Sequence, residues 1–244
     1  MRGQRAVWAF GLALLAAACD GSGTPAGDQP AAAAMAAPAT AVVPGAAPDV
    51  TSVRADRRVV FLGDSLTAGL GLPADEAFPA LIAERLAARG QGWTVVNAGV
   101  SGDTSAGGLR RLDWSIGDGA AVLVVALGGN DALRGLPAAE LEKNLDAIVS
   151  AAVARGVRVL LAGMEAPPNN GPEYTARFRD VYPAVARRHG AALVPFLLDG
   201  VAGDAALNQA DGIHPNRDGA RKVADTVWRE LEPIVRELET AATR

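Results

Sequence analysis

The chain has 244 residues, with 23 Lys and Arg against 27 Asp and Glu and a net charge of −4, so it lacks the basic excess that makes nucleic acid an expected partner. Half of the residues are hydrophobic but only 5% are aromatic, which predicts a core of Val, Leu and Ala with a few Trp and Phe anchors. The single cysteine excludes an internal disulfide framework and a thiolate metal centre, and the length suits one globular domain with additional segments.

Met1-Arg2-Gly3-Gln4-Arg5 is a short basic segment, and the apolar run from Ala6 to Ala18 behind it is too short for a stable bilayer span; residues 1–18 read as a secretory leader. The run closes on Leu15-Ala16-Ala17-Ala18 directly before Cys19. This resembles a bacterial lipobox, with Ala16 where leucine is the commoner choice. The resemblance implies cleavage before Cys19, a lipid on its sulfur and a place in the cell envelope, anchored to a bacterial membrane and facing the periplasm. It further implies that Asp20 favours inner-membrane retention in some bacteria. The alternative is a plain secretory signal and a secreted protein. Residues 19–56 are Ala, Pro, Gly, Ser and Thr without a hydrophobic period, the composition of a disordered tether that lets an anchored domain stand off the membrane.

Residues 57–242 alternate short β-rich runs with longer helical patterns. Strands are expected at Val59 to Leu62, Trp93 to Asn97, Ala121 to Leu127, Val157 to Ala162 and Ala191 to Val194, and helices at Glu76 to Ala88, Ala138 to Ala154, Tyr174 to Arg188 and Asp218 to about Thr240. Gly90, Gly156 and Gly190 stand where helix stops belong. In the last helix Val223, Val227, Leu231, Ile234, Val235 and Leu238 form an apolar stripe, and Pro233 is expected to kink it. Continuous apolar strands separated by helices predict a three-layer α/β/α sandwich around a mostly parallel five-stranded sheet, covered on both faces. Ligands bind such sheets at the carboxyl ends of the strands, where this chain places Gly63-Asp64-Ser65, Gly99-Val100-Ser101-Gly102-Asp103 and Gly128-Gly129-Asn130-Asp131.

A serine hydroxyl is a weak nucleophile near neutral pH and needs an imidazole within reach, itself oriented by a third group. Ser65 follows the first strand, and Asp211-Gly212-Ile213-His214-Pro215 can supply that base and acid; the bland alternative is that Asp211 and His214 only cap the final helix. His189, the other histidine, ends a helical run, where it faces the negative end of the helix dipole. An oxyanion needs hydrogen-bond donors. The amides of Ser65 and Gly102 and the side-chain NH2 of Asn130 can serve, although Gly102 alone reads as a turn glycine and Asn130 alone as a cap. Asp64, Asp103 and Asp131 read as braces of their turns rather than as acid–base groups.

With these blocks in order, the chain resembles the GDSL, or SGNH, hydrolase family of esterases and lipases. Ser65, Gly102, Asn130 and His214 match its four signature residues, and Asp211 completes the triad. Asn97 to Ser105 and Ala126 to Gly135 are similar to the bacterial arylesterase and multifunctional thioesterase–lysophospholipase branch. The resemblance implies a flavodoxin-like fold and hydrolysis of acyl or aryl esters, with thioesters and lysophospholipids also in range. It requires no cofactor, and no ligand spacing suggests a metal. Leu133, Arg134 and Leu136 border an acyl pocket on this reading, or form a plain strand-to-helix connection. The string G-x-S-x-G of the α/β-hydrolase elbow is missing. Gly69-Leu70-Gly71-Leu72-Pro73-Ala74 formally fits a dinucleotide fingerprint, but the glycines come too late after the strand and Pro73 interrupts the turn. A non-catalytic envelope lipoprotein that binds a lipid or glycan on an inherited hydrolase fold is the remaining alternative.

Overall fold

The computed structural model describes residues 57–117 and 119–243. The leader, Cys19 and the expected tether lie outside the described residues. Five strands run β1 Arg58–Gly63, β2 Thr94–Gly99, β3 Ala120–Ala126, β4 Arg158–Ala162 and β5 Ala192–Val194. They pair in parallel in the order β2-β1-β3-β4-β5, a flavodoxin-like order. The chain first winds from β1 to β2 and then returns to the other side of β1 with β3. The winding therefore reverses between β1 and β3, and the crevice of such a sheet opens at their carboxyl ends.

The helices are α1 Ser65–Ala68, α2 Phe78–Ala88, α3 Ser105–Arg110, α4 Leu112–Ile116, α5 Gly129–Leu133, α6 Ala138–Val153, α7 Pro172–His189 and α8 Arg217–Ala241. Helix α2 packs with α8, while α6 packs with α3 and α7, which makes the two outer layers. Val59 to Leu62 of β1 and Val122 to Val125 of β3 are fully buried. Each such side chain contributes about 1.5–3 kcal/mol relative to exposure. Coverage of both faces does not extend to β2, where Thr94, Val96 and Asn97 are exposed; as an edge strand it has a neighbour on one side only.

The aromatic anchors include the expected Phe and Trp, with Trp93 buried in the core, and Tyr182 joins them. Phe61 meets Phe78 edge to face at 5.6 Å, and Phe178 contacts both Tyr174 and Tyr182, whereas Trp114 is 82% exposed. Helix α2 starts at Phe78 rather than Glu76, because Pro79 suits only a first turn. Helix α8 continues through Pro233, since burial of Leu231, Ile234 and Val235 around it offsets the lost hydrogen bond. Helices α1, α3, α4 and α5 were not expected: at four to six residues they are too short to show a hydrophobic period.

Candidate active site

Strand β1 ends at Gly63, whose backbone is packed so closely on Thr67 that a Cβ would lie 1.9 Å from Thr67 Oγ1. Asp64 then caps α1, its Oδ1 accepting the Leu66 N–H at 3.0 Å, and Ser65 is the first helical residue. The turn delivers the hydroxyl to the crevice. Ser65 Oγ lies 2.8 Å from His214 Nε2, and His214 Nδ1 lies 2.7 Å from Asp211 Oδ2.

The loop carrying His214 is fastened from both sides. Asp211 Oδ1 accepts the N–H groups of Ile213 and His214 at 2.9 and 3.0 Å. The His214 and Ile213 amides, followed by the His214 side chain, lower the Asp211 carboxyl to about 2. Gln209 N–H donates to His214 O at 2.7 Å, and its side chain donates to Pro215 O at 3.0 Å and across to Leu70 O at 2.7 Å. Gln209 thus ties the imidazole loop to the segment after the nucleophile. The cap of α8 is Asn216, which accepts from Asp218 and Gly219, so Asp211 and His214 do not cap that helix. His189 ends α7 and meets Asp146 of α6 at 2.8 Å.

Three donors were expected around the hydroxyl. The Ser65 N–H, at the first position of α1, has no intrahelical acceptor. Gly102 has a φ of +83°, and only Arg134 Nη2, 3.8 Å away, lies near an added Cβ. Its glycine is required by backbone conformation rather than by crowding. Asn130 Nδ2 donates to Asp103 O at 2.9 Å and to Asp64 Oδ2 at 3.2 Å, so both amide hydrogens have protein acceptors.

The neighbouring carboxylates brace their loops. Asp131 is buried and accepts from Ser105 N and Oγ at 2.8 and 2.5 Å. Asp103 accepts from Arg111 Nε at 2.6 Å. Arg111, unremarked in the sequence, also donates to Gly63 O at 2.8 Å and Ala98 O at 2.7 Å. Asp64 differs: burial raises its carboxyl to about 6 against the lowering effects of Leu66 N–H, Asn130 and His214. Among the described residues, no group of three or more His, Cys, Asp or Glu side chains is placed to hold a metal.

A cavity of about 560 Å³ opens over Ser65, with Asn130, Leu133, Met164, Phe196, Leu198, Ile213 and His214 among its walls. Of the three residues expected to border an acyl pocket, Leu133 lines it and Arg134 and Leu136 do not. Arg134 instead donates to Gly102 O at 2.7 Å. Leu136 O accepts the Tyr174 hydroxyl at 2.7 Å, which fastens this connection to α7. The walls from Met164 to Pro168 and from Phe196 to Gly203 were missed in the sequence. They follow β4 and β5, and the rule that ligands meet the carboxyl ends of strands already pointed to those loops.

Residues 61–222 match the model of the GDSL-like lipase/acylhydrolase family. The chain belongs to that family. It is 44% identical over 187 residues to Esterase TesA of Pseudomonas aeruginosa, covering 76% of this chain and 93% of that protein. It is 38% identical over 178 residues to Thioesterase 1/protease 1/lysophospholipase L1 of Escherichia coli K12, covering 72% of this chain and 84% of that one. A crystal structure of TesA superposes with a TM-score of 0.70 at 46% identity, covering 72% of this chain and 99% of the other. The three-layer fold is thus the fold of the family's esterases.

Proposed function

We propose that this member of the GDSL-like family is a serine esterase in which Ser65 is the nucleophile, His214 the general base and acid, and Asp211 the group that orients the imidazole. It hydrolyses carboxylic esters, acyl or aryl, and extends to thioesters and lysophospholipids, in line with the names of its relatives. The observation that carries the reading is the unbroken hydrogen-bond chain Asp211–His214–Ser65, at 2.7 and 2.8 Å. With Nδ1–H donated to Asp211, the Nε2 lone pair accepts the Ser65 proton as Oγ attacks the acyl carbon.

The tetrahedral oxyanion that forms is held by the N–H groups of Ser65 and Gly102 and by Asn130 Nδ2, each such donor being worth about 3 kcal/mol in the transition state. Asn130 shares its amide by loosening the longer of its two bonds, the 3.2 Å contact with Asp64. Protonated His214 then donates to the departing alkoxide or thiolate, and the same imidazole activates the water that releases the acid. Cys19 carries a lipid in this proposal and holds the enzyme in the cell envelope.

The test is turnover of p-nitrophenyl esters of increasing chain length, alongside labelling by a fluorophosphonate. Ser65→Ala and His214→Ala should each lower kcat by roughly 10⁴ to 10⁶ without a change in melting behaviour, and Ser65→Ala should not label. Near-normal turnover by either variant would overturn the assignment. An unlabelled, folded wild-type protein that binds lipid or glycan would favour the non-catalytic reading.

A further inference from the structure

The cavity wall carries few charges. Of the residues lining it, Asp64, Glu165 and His214 are ionisable, and neither lysine nor arginine is among them. Asp64 lies buried beneath the nucleophile with both oxygens engaged, and His214 is spent on Ser65 and Asp211. Arg134, the cation on the neighbouring connection, is committed to Gly102 O. Glu165 differs from all of these. It stands exposed at the start of the loop after β4, and among the described residues it has neither an ion-pair nor a hydrogen-bond partner. The rest of its wall is apolar, with Met164 before it and Ala166, Pro167 and Pro168 after it.

A substrate whose carbonyl sits at Ser65 has its first atoms on both sides inside this space. A charge a few bonds from the scissile bond therefore lies within reach of an unneutralised carboxylate, while an apolar chain finds apolar walls. We propose that Glu165 is a specificity-determining residue, making the enzyme favour esters and thioesters whose leaving group is neutral or cationic close to the scissile bond over those whose leaving group is anionic there. This inference rests on the serine-esterase reading above. Glu165 takes no part in bond making; it acts on the charge of what is bound. Partly solvated unit charges alter such preferences severalfold rather than by many orders, and more so at low salt.

The experiment uses the purified protein and two thioesters with the same butyryl group, butyrylthiocholine and S-butyryl-2-mercaptoethanesulfonate, so that the bond broken is constant and the charge two carbons from the leaving sulfur changes from cation to anion. p-Nitrophenyl butyrate is the neutral control. Wild type should give a thiocholine-to-sulfonate ratio of kcat/KM well above one that shrinks as salt is added. Glu165→Gln should lower the ratio by roughly three- to tenfold and Glu165→Lys further, with the neutral ester changed by less than about twofold in both. A ratio unmoved in both variants while p-nitrophenyl butyrate is turned over normally, or a wild-type preference for the sulfonate thioester, would overturn the inference. Retention of neutral-ester turnover in Ser65→Ala would instead strike the serine-esterase reading on which it rests.

Discussion

Asp64 sits at the junction of the proposed nucleophile and oxyanion donors, one oxygen on Leu66 N–H and the other on the Asn130 amide. Burial raises its carboxyl from 3.8 to about 6, so the folded state binds the proton more tightly than the unfolded chain does. The stability this brings is fully present below about pH 4 and is lost as the pH rises through about 6, a change on the order of 3 kcal/mol. Urea midpoints of the wild type should fall across that window, and Asp64→Asn, which keeps the cap acceptor but cannot ionise, should flatten the fall. Equal slopes in the two proteins would show that Asp64 is not the group responsible. Asp211 has the opposite sign. Held at about 2 by the His214 and Ile213 amides and then the imidazole, it stays ionised throughout the working range, and the stabilisation it brings is lost only as the pH falls through about 2.

At the level of elements, the site depends on how short pieces grip one another. The loop from Gly99 to Thr104 is held from α5, where Asn130 takes Asp103 O and Arg134 takes Gly102 O. It is held from below by Arg111, whose guanidinium joins the ends of β1 and β2 to the Asp103 carboxylate at 2.6 to 2.8 Å. Replacing Arg111 with Met would leave the Asp103 carboxylate without its cation and remove a donor from Ala98 O and from Gly63 O, which keeps the Val100 N–H, at a cost of about 2–4 kcal/mol. Because the same loop carries the Gly102 N–H, kcat should fall more than KM rises, while Arg111→Lys should recover stability better than kcat, since an ammonium lacks the planar fork. Thermal melts beside steady-state kinetics read both effects, and an unchanged kcat in folded Arg111→Met would remove Arg111 from the positioning of that donor.

Across the whole domain, the sheet order brings together what the chain keeps apart. Ser65 and His214 are separated by 149 positions, yet the reversal of winding between β1 and β3 places the loops they stand on at one crevice. The far end is fastened separately: Arg89 and Trp93 bind Glu239 near the end of α8. Because every proposed catalytic group lies between residues 64 and 214, Cys19→Ala should shift the protein from the membrane to the soluble fraction with little change in kcat on a soluble ester; continued sedimentation with membranes would remove Cys19 as the anchor. The sequence alone determined the strands, the long helices and the layered class, because continuous apolar runs, the helical period and glycine stops act over a few residues. It also exposed the chemical alphabet of the site, since Ser65, Gly102, Asn130 and His214 stand in blocks just after strands or just before the last helix. Tertiary structure alone decided which of those groups touch. It decided that Asn216 rather than Asp211 or His214 caps α8, that Arg134 and Leu136 serve the scaffold while Met164, Glu165 and Phe196 wall the cavity, and that Arg111 pins the loop of Gly102. These outcomes depend on strand order and on loop paths meeting in space, and no local run of residues encodes a contact whose partner lies dozens of positions away.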